Sequence, residues 1–318
     1  MLESIKSTWK IRDSRENAML ELYRNLKGGD IIAEVRVATR SLDGVHLSVG
    51  RKDGQLYRWK DLGGNFLNVI QGHDIELIEV KCELTRGVIG QAIAGRDLFE
   101  ERFSVASFGT HVVFPIERGD PTLEWVCKEK RNIHIEPLES VSRVWELAGC
   151  RAPVSSKGSR SNRISEAKTP DKFEMLRRYQ DRPNITGDIY TGIRIDDSVI
   201  WPGCNEDSVD AVRLLHSQGK GNLFSPITEE AFRKRVQSCE VELIEMSSPL
   251  LKSDSKRKEK IGALNRSAFG RVLAGKDMFE RKFREENIKV SQLVILCAEI
   301  DPSFKVVWEK QGILPLVV

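Results

Sequence analysis

The segment ELIEVKCELTRGVIGQAIAGRDLFEERF, residues 76–103, occurs in this chain in two versions. Its first part returns as ELIEMSS at 242–248, and its second part returns as AFGRVLAGKDMFERKF at 268–283. A short β-rich run followed by a longer run with apolar residues at helical spacing is typical of a strand that leads into a helix. The repeat therefore predicts one unit of strand and helix that the chain uses twice.

Three further blocks recur in the same order, which is the pattern of an internal duplication. They pair 19–23 with 175–179, 30–37 with 188–195, and 119–130 with 300–310. Between the copies lies a stretch rich in Ser, Lys and Arg with few residues able to form a core, which is typical of a linker. The sequence therefore predicts a first domain at 1–150, a linker at 151–170 and a second domain at 171–318.

The first copy alternates helical and strand patterns. We predict a helix at 14–29, strands at 30–38, 44–50 and 74–82, a helix at 86–104, a strand at 110–117 and a closing helix at 136–149. In the second copy, DSVDAVRLLHSQGKG at 207–221 is interpreted as an accessory helix. The order of helix, three strands, helix and strand predicts the α/β class, with a mixed central sheet flanked by helices in each domain.

Composition excludes several classes of protein. The 318 residues are 40% hydrophobic and 31% charged with a net charge of +3, which is typical of a globular chain. The absence of a long apolar stretch or an apolar leader predicts a cytoplasmic protein without membrane spans. The six cysteines form no C-x-x-C pair, so neither a zinc cluster nor a disulfide framework is expected.

The first copy places charged side chains at one end of its third strand. Side chains alternate along a strand, so Glu79 and Lys81 continue the apolar face of Ile75 and Leu77. Asp43 opens the preceding strand, where its carboxylate can lie beside Glu79. Two convergent carboxylates next to an ammonium group are the ligands and the charge partner of a Mg²⁺ site that activates water.

Asp43, Glu79 and Lys81 in this order of elements resemble the PD-(D/E)xK nuclease superfamily, the restriction-endonuclease-like fold. The resemblance covers residues 15–117 with a complete motif and 171–300 as a fold alone. It implies a metal-dependent nuclease in which Asp43 and Glu79 hold Mg²⁺ or Mn²⁺ and Lys81 assists the attacking water.

The resemblance implies further site residues. The backbone carbonyl of Val80 would be a metal ligand, and Glu34 or Glu16 would supply another carboxylate. Gln91, one turn into the following helix, would lie near the metal or the phosphate. The gap from Asp43 to Glu79 is long, so Asp61 and Asp74 stay open as alternatives to Asp43.

The second copy departs from this motif. In the alignment, Gly192 replaces Glu34, Ser247 replaces Lys81 and Arg271 replaces Gln91. Glu245 is left, with Asp196 or Asp197 as its partner. We therefore expect a pseudo-nuclease that positions substrate or mediates assembly.

Two basic segments are candidate nucleic-acid contacts. They are Arg51, Lys52, Arg58 and Lys60, interleaved with Tyr57 and Trp59, and Lys256, Arg257 and Lys258 in an insertion of the second copy. DNA is the expected substrate, RNA is an alternative, and a homodimer or a partner subunit is expected because one centre cuts one strand. The competing interpretation is a non-catalytic scaffold that binds nucleic acid or protein.

Overall fold

The computed structural model of the chain describes residues 14–48, 54–149, 170–195, 208–215, 221–224, 227–247 and 264–318. Internal contacts divide the chain into unit 1, Met1–Lys157, and unit 2, Gly158–Val318. The division falls within the predicted linker, which lies almost entirely outside the described residues. No described helix combines the length and the apolar character that crossing a membrane requires.

Unit 1 is built on a mixed six-stranded sheet. Its helices are α1 (Ser14–Lys27), α2 (Trp59–Leu62), α3 (Phe66–Ile70), α4 (Arg86–Phe103), α5 (Pro121–Trp125) and α6 (Val141–Leu147). Its strands are β1 (Asp30–Val37), β2 (Arg40–Leu47), β3 (Leu56–Arg58), β4 (Ile75–Val80), β5 (Gly109–Phe114) and β6 (His134–Pro137). The strand order is β3-β1-β2-β4-β5-β6, in which β1, β2 and β4 are antiparallel neighbours and β4, β5 and β6 run parallel.

Unit 2 repeats this architecture. Its helices are α7 (Pro170–Gln180), α8 (Glu229–Val236), α9 (Arg266–Lys282) and α10 (Lys305–Gln311). Its strands are β7 (Ile189–Arg194), β8 (Ser208–Leu214), β9 (Leu223–Phe224), β10 (Glu240–Met246), β11 (Lys289–Cys297) and β12 (Ile313–Val317). Their order, β9-β7-β8-β10-β11-β12, reproduces that of unit 1 strand for strand. The prediction of a mixed α/β sheet in each copy is confirmed.

The prediction of an accessory helix at 207–221 is wrong. Residues Ser208–Leu214 form β8, which pairs antiparallel with both β7 and β10 in the middle of the sheet. A short apolar run carries too few residues to separate period 2 from period 3.6, and the sheet supplies the hydrogen bonds that make it a strand. The predicted closing helix is also shorter, because its first residues belong to β6 and only Val141–Leu147 is helical.

The long helix of each unit, α4 in unit 1 and α9 in unit 2, packs through three phenylalanines at equivalent positions. In unit 1, Phe66 of α3 contacts Phe99 and Phe103 of α4, with ring centroids 6.4 and 4.9 Å away. In unit 2, Phe232, Phe279 and Phe283 repeat the contacts at 6.2 and 5.3 Å. Buried aromatic rings at edge-to-face separations stabilise a core beyond their area alone. The repeated triplet therefore holds α4 and α9 at equivalent positions.

The first residue of the repeated ELIE segment is a carboxylate, half-buried in unit 1 and buried in unit 2, with a different partner in each unit. In unit 1, Glu76 accepts from His46 Nδ1 at 2.6 Å, and His46 Nε2 lies 2.7 Å from the Gly28 carbonyl. In unit 2, Glu242 accepts two hydrogen bonds from the Arg213 guanidinium at 3.0 and 2.8 Å. These pairs join β2 to β4 and β8 to β10, because each partner lies on the neighbouring strand.

A second repeated feature interrupts the first strand of each unit. Glu34 in β1 has φ +56°, and Gly192 in β7 has φ +64°. The strand pairing skips both residues. In unit 1, Ala33 pairs with Gly44 and Val35 with Leu42. In unit 2, Thr191 pairs with Ala211 and Ile193 with Val209. Both units therefore carry the irregularity beside the strand that bears the candidate aspartate.

Candidate active site

The carboxylates of unit 1 converge because of the strand register. Gly44 of β2 pairs with Ile78 of β4, and the strands are antiparallel, so Asp43 lies beside Glu79. Ile78 belongs to the core packed under α1, so alternation turns Glu79 to the opposite face. The side chain of Glu79 is 1% exposed, which places one charge of the site inside the protein.

Asp43 closes the end of β4. Its Oδ2 atom accepts a hydrogen bond from the Val80 amide at 2.8 Å and one from Lys81 Nζ at 2.6 Å. The Asp43 carboxylate is therefore held against the end of β4 by Val80 and Lys81, with 17% of its side chain exposed. Of the two alternatives, Asp61 forms an ion pair with Arg58 at 3.6 Å, and Asp74 lies in the turn that leads into β4.

The Lys81 ammonium group lies at the centre of the cluster. Its Nζ atom is 2.7 Å from the Val80 carbonyl oxygen, 3.7 Å from Glu79 Oε2 and 3.6 Å from Glu16 Oε1. Burial lowers the pKa of Lys81, but the attraction of Asp43, Glu79 and Glu16 outweighs that effect and raises the pKa. Lys81 is therefore a permanent cation among three carboxylates and one carbonyl.

The donor atoms around Lys81 Nζ fit a hard divalent cation. Asp43, Glu79 and the Val80 carbonyl offer only oxygen, which is what Mg²⁺ and Mn²⁺ prefer, and waters complete such a shell. The ammonium group shows that a positive charge is accommodated among these oxygens. Within the described ranges, no group of three or more His, Cys, Asp or Glu side chains has the geometry of a metal cluster. Waters and the carbonyl would have to complete the coordination.

The other predicted members of the site lie at different distances from this centre. Gln91 is a half-buried residue in the second turn of α4, a helix capped by Thr85, whose Oγ1 accepts from the Val88 amide at 3.3 Å. Glu34 lies at the irregularity of β1 and is not among the carboxylates within 4 Å of Lys81 Nζ. Glu16 of α1, the second candidate, does lie within 4 Å of Lys81 Nζ.

Only some of the predicted nucleic-acid contacts lie among the described residues. Arg58 is half-buried and Lys60 is exposed, so Lys60 is accessible to a phosphate. Tyr57 is 3% exposed, which excludes base stacking on it in this fold, and the Trp59 ring packs on Phe66 with centroids 4.5 Å apart. The remaining predicted contacts lie outside the described residues: Arg51, Lys52, Lys256, Arg257 and Lys258.

Unit 2 contains an aspartate that the sequence interpretation missed. Ala211 of β8 pairs with Ile244 of β10, as Gly44 pairs with Ile78, so Asp210 is the equivalent of Asp43. Asp210 Oδ2 accepts from the Met246 amide at 2.8 Å, which repeats the bond from Asp43 to Val80. The signal was present in SLDGVHL at 41–47 and SVDAVRL at 208–214, but the helix assigned there hid it. The residues predicted instead, Asp196 and Asp197, lie outside the described residues.

A lysine accompanies Asp210 although the strand position is Ser247. Lys172 Nζ of α7 lies 2.6 Å from Asp210 Oδ1. α1 and α7 align through Tyr23 and Tyr179, whose hydroxyl groups both donate to the buried carboxylate of the ELIE segment. Counting back from these tyrosines, Lys172 stands where Glu16 stands in unit 1. The ammonium group next to the aspartate thus comes from the end of the strand in unit 1 and from the first helix in unit 2.

Comparison with known proteins gives little. No protein-family model matches this sequence, and no curated protein sequence matches it. Among solved structures, the chain is similar to the crystal structure of a repair endonuclease from Pyrococcus abyssi, with 14% sequence identity and a TM-score of 0.28. The aligned part covers 42% of this chain and spans half of the length of that one. A likeness of this size assigns neither a family nor an activity to the chain.

Proposed function

We propose that unit 1 is a metal-dependent endonuclease that hydrolyses phosphodiester bonds in DNA, and that unit 2 is a pseudo-nuclease that positions substrate or mediates assembly. The observation that supports this most directly is the convergence of Asp43, Glu79, Lys81 and the Val80 carbonyl at the adjacent ends of β2 and β4. Every one of these groups is an oxygen ligand or a fixed cation, which is the chemistry that phosphoryl transfer to water requires.

Charge explains why this site needs a divalent cation. Three carboxylates, Asp43, Glu79 and Glu16, surround one ammonium group, so the formal charge is one positive against three negative. A phosphodiester is an anion and would be repelled by the remaining two negative charges. Asp43, Glu79 and Val80 O would hold the cation, which, when bound, neutralises this excess and supplies an activated water.

Lys81 has its own part in the proposed chemistry. Its ammonium group is held by hydrogen bonds to Asp43 and the Val80 carbonyl, so it is oriented before substrate arrives. From there it donates to an oxygen of the attacking water or of the phosphate, where negative charge increases in the transition state. Gln91, in the second turn of α4, is proposed to contact the same phosphate, and Lys60 a phosphate further along the strand.

The first prediction tests this assignment directly. Supercoiled plasmid, linear duplex, single-stranded DNA and RNA are incubated with the protein and Mg²⁺ or Mn²⁺, and cleavage is followed on gels. Glu79→Ala and Lys81→Ala are each expected to lower the cleavage rate at least a hundredfold, because each removes a group that acts on the reacting atoms.

Two exposed residues provide matched controls. Glu101→Gln removes a carboxylate from α4, and Lys128→Ala removes an ammonium group, both away from the site. Cleavage that is equal in all four variants would rule out this active site. Nucleic-acid binding without any cleavage by the wild type would instead favour the non-catalytic scaffold, and cleavage of RNA alone would change the substrate class.

A further inference from the structure

Among the described residues of unit 2, two cations, Lys172 and Arg271, form ion pairs in the polar cluster, where unit 1 has Lys81. Asp210 and Glu245 correspond to Asp43 and Glu79, and Lys172 supplies the ammonium group. The additional cation is Arg271 of α9, which stands at the position of Gln91 in α4. Both helices start at a capping side chain six residues earlier, so this correspondence rests on geometry as well as on sequence.

The Arg271 guanidinium group contacts atoms of unit 2 whose equivalents in unit 1 would hold a metal. Its Nη2 atom donates to the Met246 carbonyl at 2.9 Å, and its Nε atom is 3.5 Å from Glu245 Oε2. Met246 O and Glu245 are the equivalents of Val80 O and Glu79. The side chain of Glu245 is 2% exposed and that of Arg271 is 21% exposed, so the guanidinium covers a buried carboxylate from the solvent side.

The ion pairs in the described part of the chain distinguish the two clusters. In unit 2, two carboxylates, Asp210 and Glu245, face two cations, Lys172 and Arg271. In unit 1, three carboxylates face Lys81. A guanidinium stays charged at every pH that proteins tolerate, so Arg271 cannot make room for a divalent cation by losing its proton.

We propose that Arg271 is a built-in counter-ion that blocks an otherwise complete divalent-cation site in unit 2, formed by Asp210, Glu245 and the carbonyl oxygen of Met246. This inference rests on the proposed function, since it assigns the corresponding atoms of unit 1 as cation ligands. Unit 2 is then inactive because of one residue on α9. The loss of the strand lysine at Ser247 is compensated by Lys172.

The test is a reciprocal exchange followed by counting bound ions. Mn²⁺ binding is measured by electron paramagnetic resonance and calorimetry on the full chain. The wild type is expected to bind one ion, Arg271→Gln two, and Gln91→Arg none, because each exchange removes or creates the blocking guanidinium. Adding Asp210→Asn to Arg271→Gln is expected to abolish the additional ion, which assigns it to unit 2. Arg281→Gln, which removes an exposed arginine from the same helix, is expected to leave the count at one.

The outcomes separate the two proposals. A folded Arg271→Gln protein that binds no additional ion overturns the blocked site, whatever unit 1 does. If Arg271→Gln does not fold, Arg271→Met, which keeps the volume of the chain without its charge, serves in its place. A wild type that binds no Mn²⁺ while Arg271→Gln binds one, sensitive to Asp210→Asn, refutes the metal site of unit 1 and retains that of unit 2.

Discussion

At the scale of single residues, Glu76 and Glu242 show how one carboxylate position in the sheet is paired in two ways. Both ring nitrogens of His46 face oxygen atoms, one of Glu76 and one of the Gly28 carbonyl. Arg213, whose guanidinium group is charged at every pH that proteins tolerate, binds Glu242 through two nitrogens. The two equivalent positions therefore have chemically different partners, although their places in the sheet are the same.

We predict that Glu76→Gln destabilises unit 1 by about 1 to 3 kcal/mol at pH 7, since it weakens the partly buried hydrogen bonds of this carboxylate. Hydrogen bonds from His111 and His46 hold the pKa of Glu76 below its usual range. Burial acts in the opposite direction and raises this pKa, but its effect is smaller. A lowered carboxyl pKa contributes stability that is complete above the unfolded pKa of about 4.3 and is lost only gradually as the pH falls from there through the lower pKa of the folded state. Urea unfolding at pH 7 and pH 3.5 checks this, because the difference between the variant and the wild type should be smaller at the lower pH.

Glu242→Gln is the matched substitution in unit 2 and is expected to cost more, about 3 to 5 kcal/mol. Arg213 is 7% exposed and keeps its charge, so the substitution leaves a buried cation without its carboxylate, and Glu242 is more deeply buried than Glu76. Equal losses in the two units would contradict the difference between the histidine and arginine partners.

At the scale of elements, the irregularity in β1 and β7 explains why Glu34 and Gly192 differ. A positive φ costs a residue with a side chain about 1 to 2 kcal/mol, and glycine avoids that cost. The exchange of Glu34 for Gly192 resembles the loss of a metal ligand when the sequences are aligned. The structure places both residues at a backbone position that favours glycine, and it gives the third carboxylate near Lys81 to Glu16.

We predict that Gly192→Ala lowers the stability of unit 2 by about 1 kcal/mol. No atom lies within 4 Å of the added methyl group, so the whole effect comes from the positive φ. Gly64→Ala, which also meets no atom and has no positive φ, should change stability by less than about 0.5 kcal/mol. Thermal unfolding compares the two, and an unaffected Gly192→Ala protein would show that β7 relaxes without cost.

Elements with a clear pattern and a repeated sequence were predictable, and β8 was not. α4 and β4 carry a strong pattern and a copy of themselves, so both were located to within a few residues. β8 has seven residues, and its identity depends on pairing with β7 and β10, which no local pattern encodes. The candidate site of unit 1 followed from alternation along β4, whereas Lys172 was missed because its partner Asp210 was assigned to a helix, so no strand position was predicted for it to contact.

At the scale of the whole molecule, the duplication gives each chain two sheets of one topology and, under the proposed function, one cutting centre. β3-β1-β2-β4-β5-β6 and β9-β7-β8-β10-β11-β12 are the same arrangement, so the fold provides two places for a site. Under the proposed function, the difference in charge between them determines which place is used. A single centre cuts one strand of a duplex in each binding event.

We predict that supercoiled plasmid is first converted to the nicked circle, and that linear product appears later. The ratio of nicked to linear product should fall as protein concentration rises, because a second cut requires a second chain. Gel analysis of a time course at several concentrations checks this. Linear product that forms without a nicked intermediate at every concentration would mean that two centres act together on one substrate.

The position of Lys172 also bears on how the two copies diverged. A buried aspartate that loses its only nearby ammonium group costs several kcal/mol, which a protein of ordinary stability does not tolerate easily. A chain with an ammonium group on both the strand and the first helix avoids this cost at each step. For a unit that begins with the strand lysine, the route of lowest cost therefore gains the helix lysine before it loses the strand lysine.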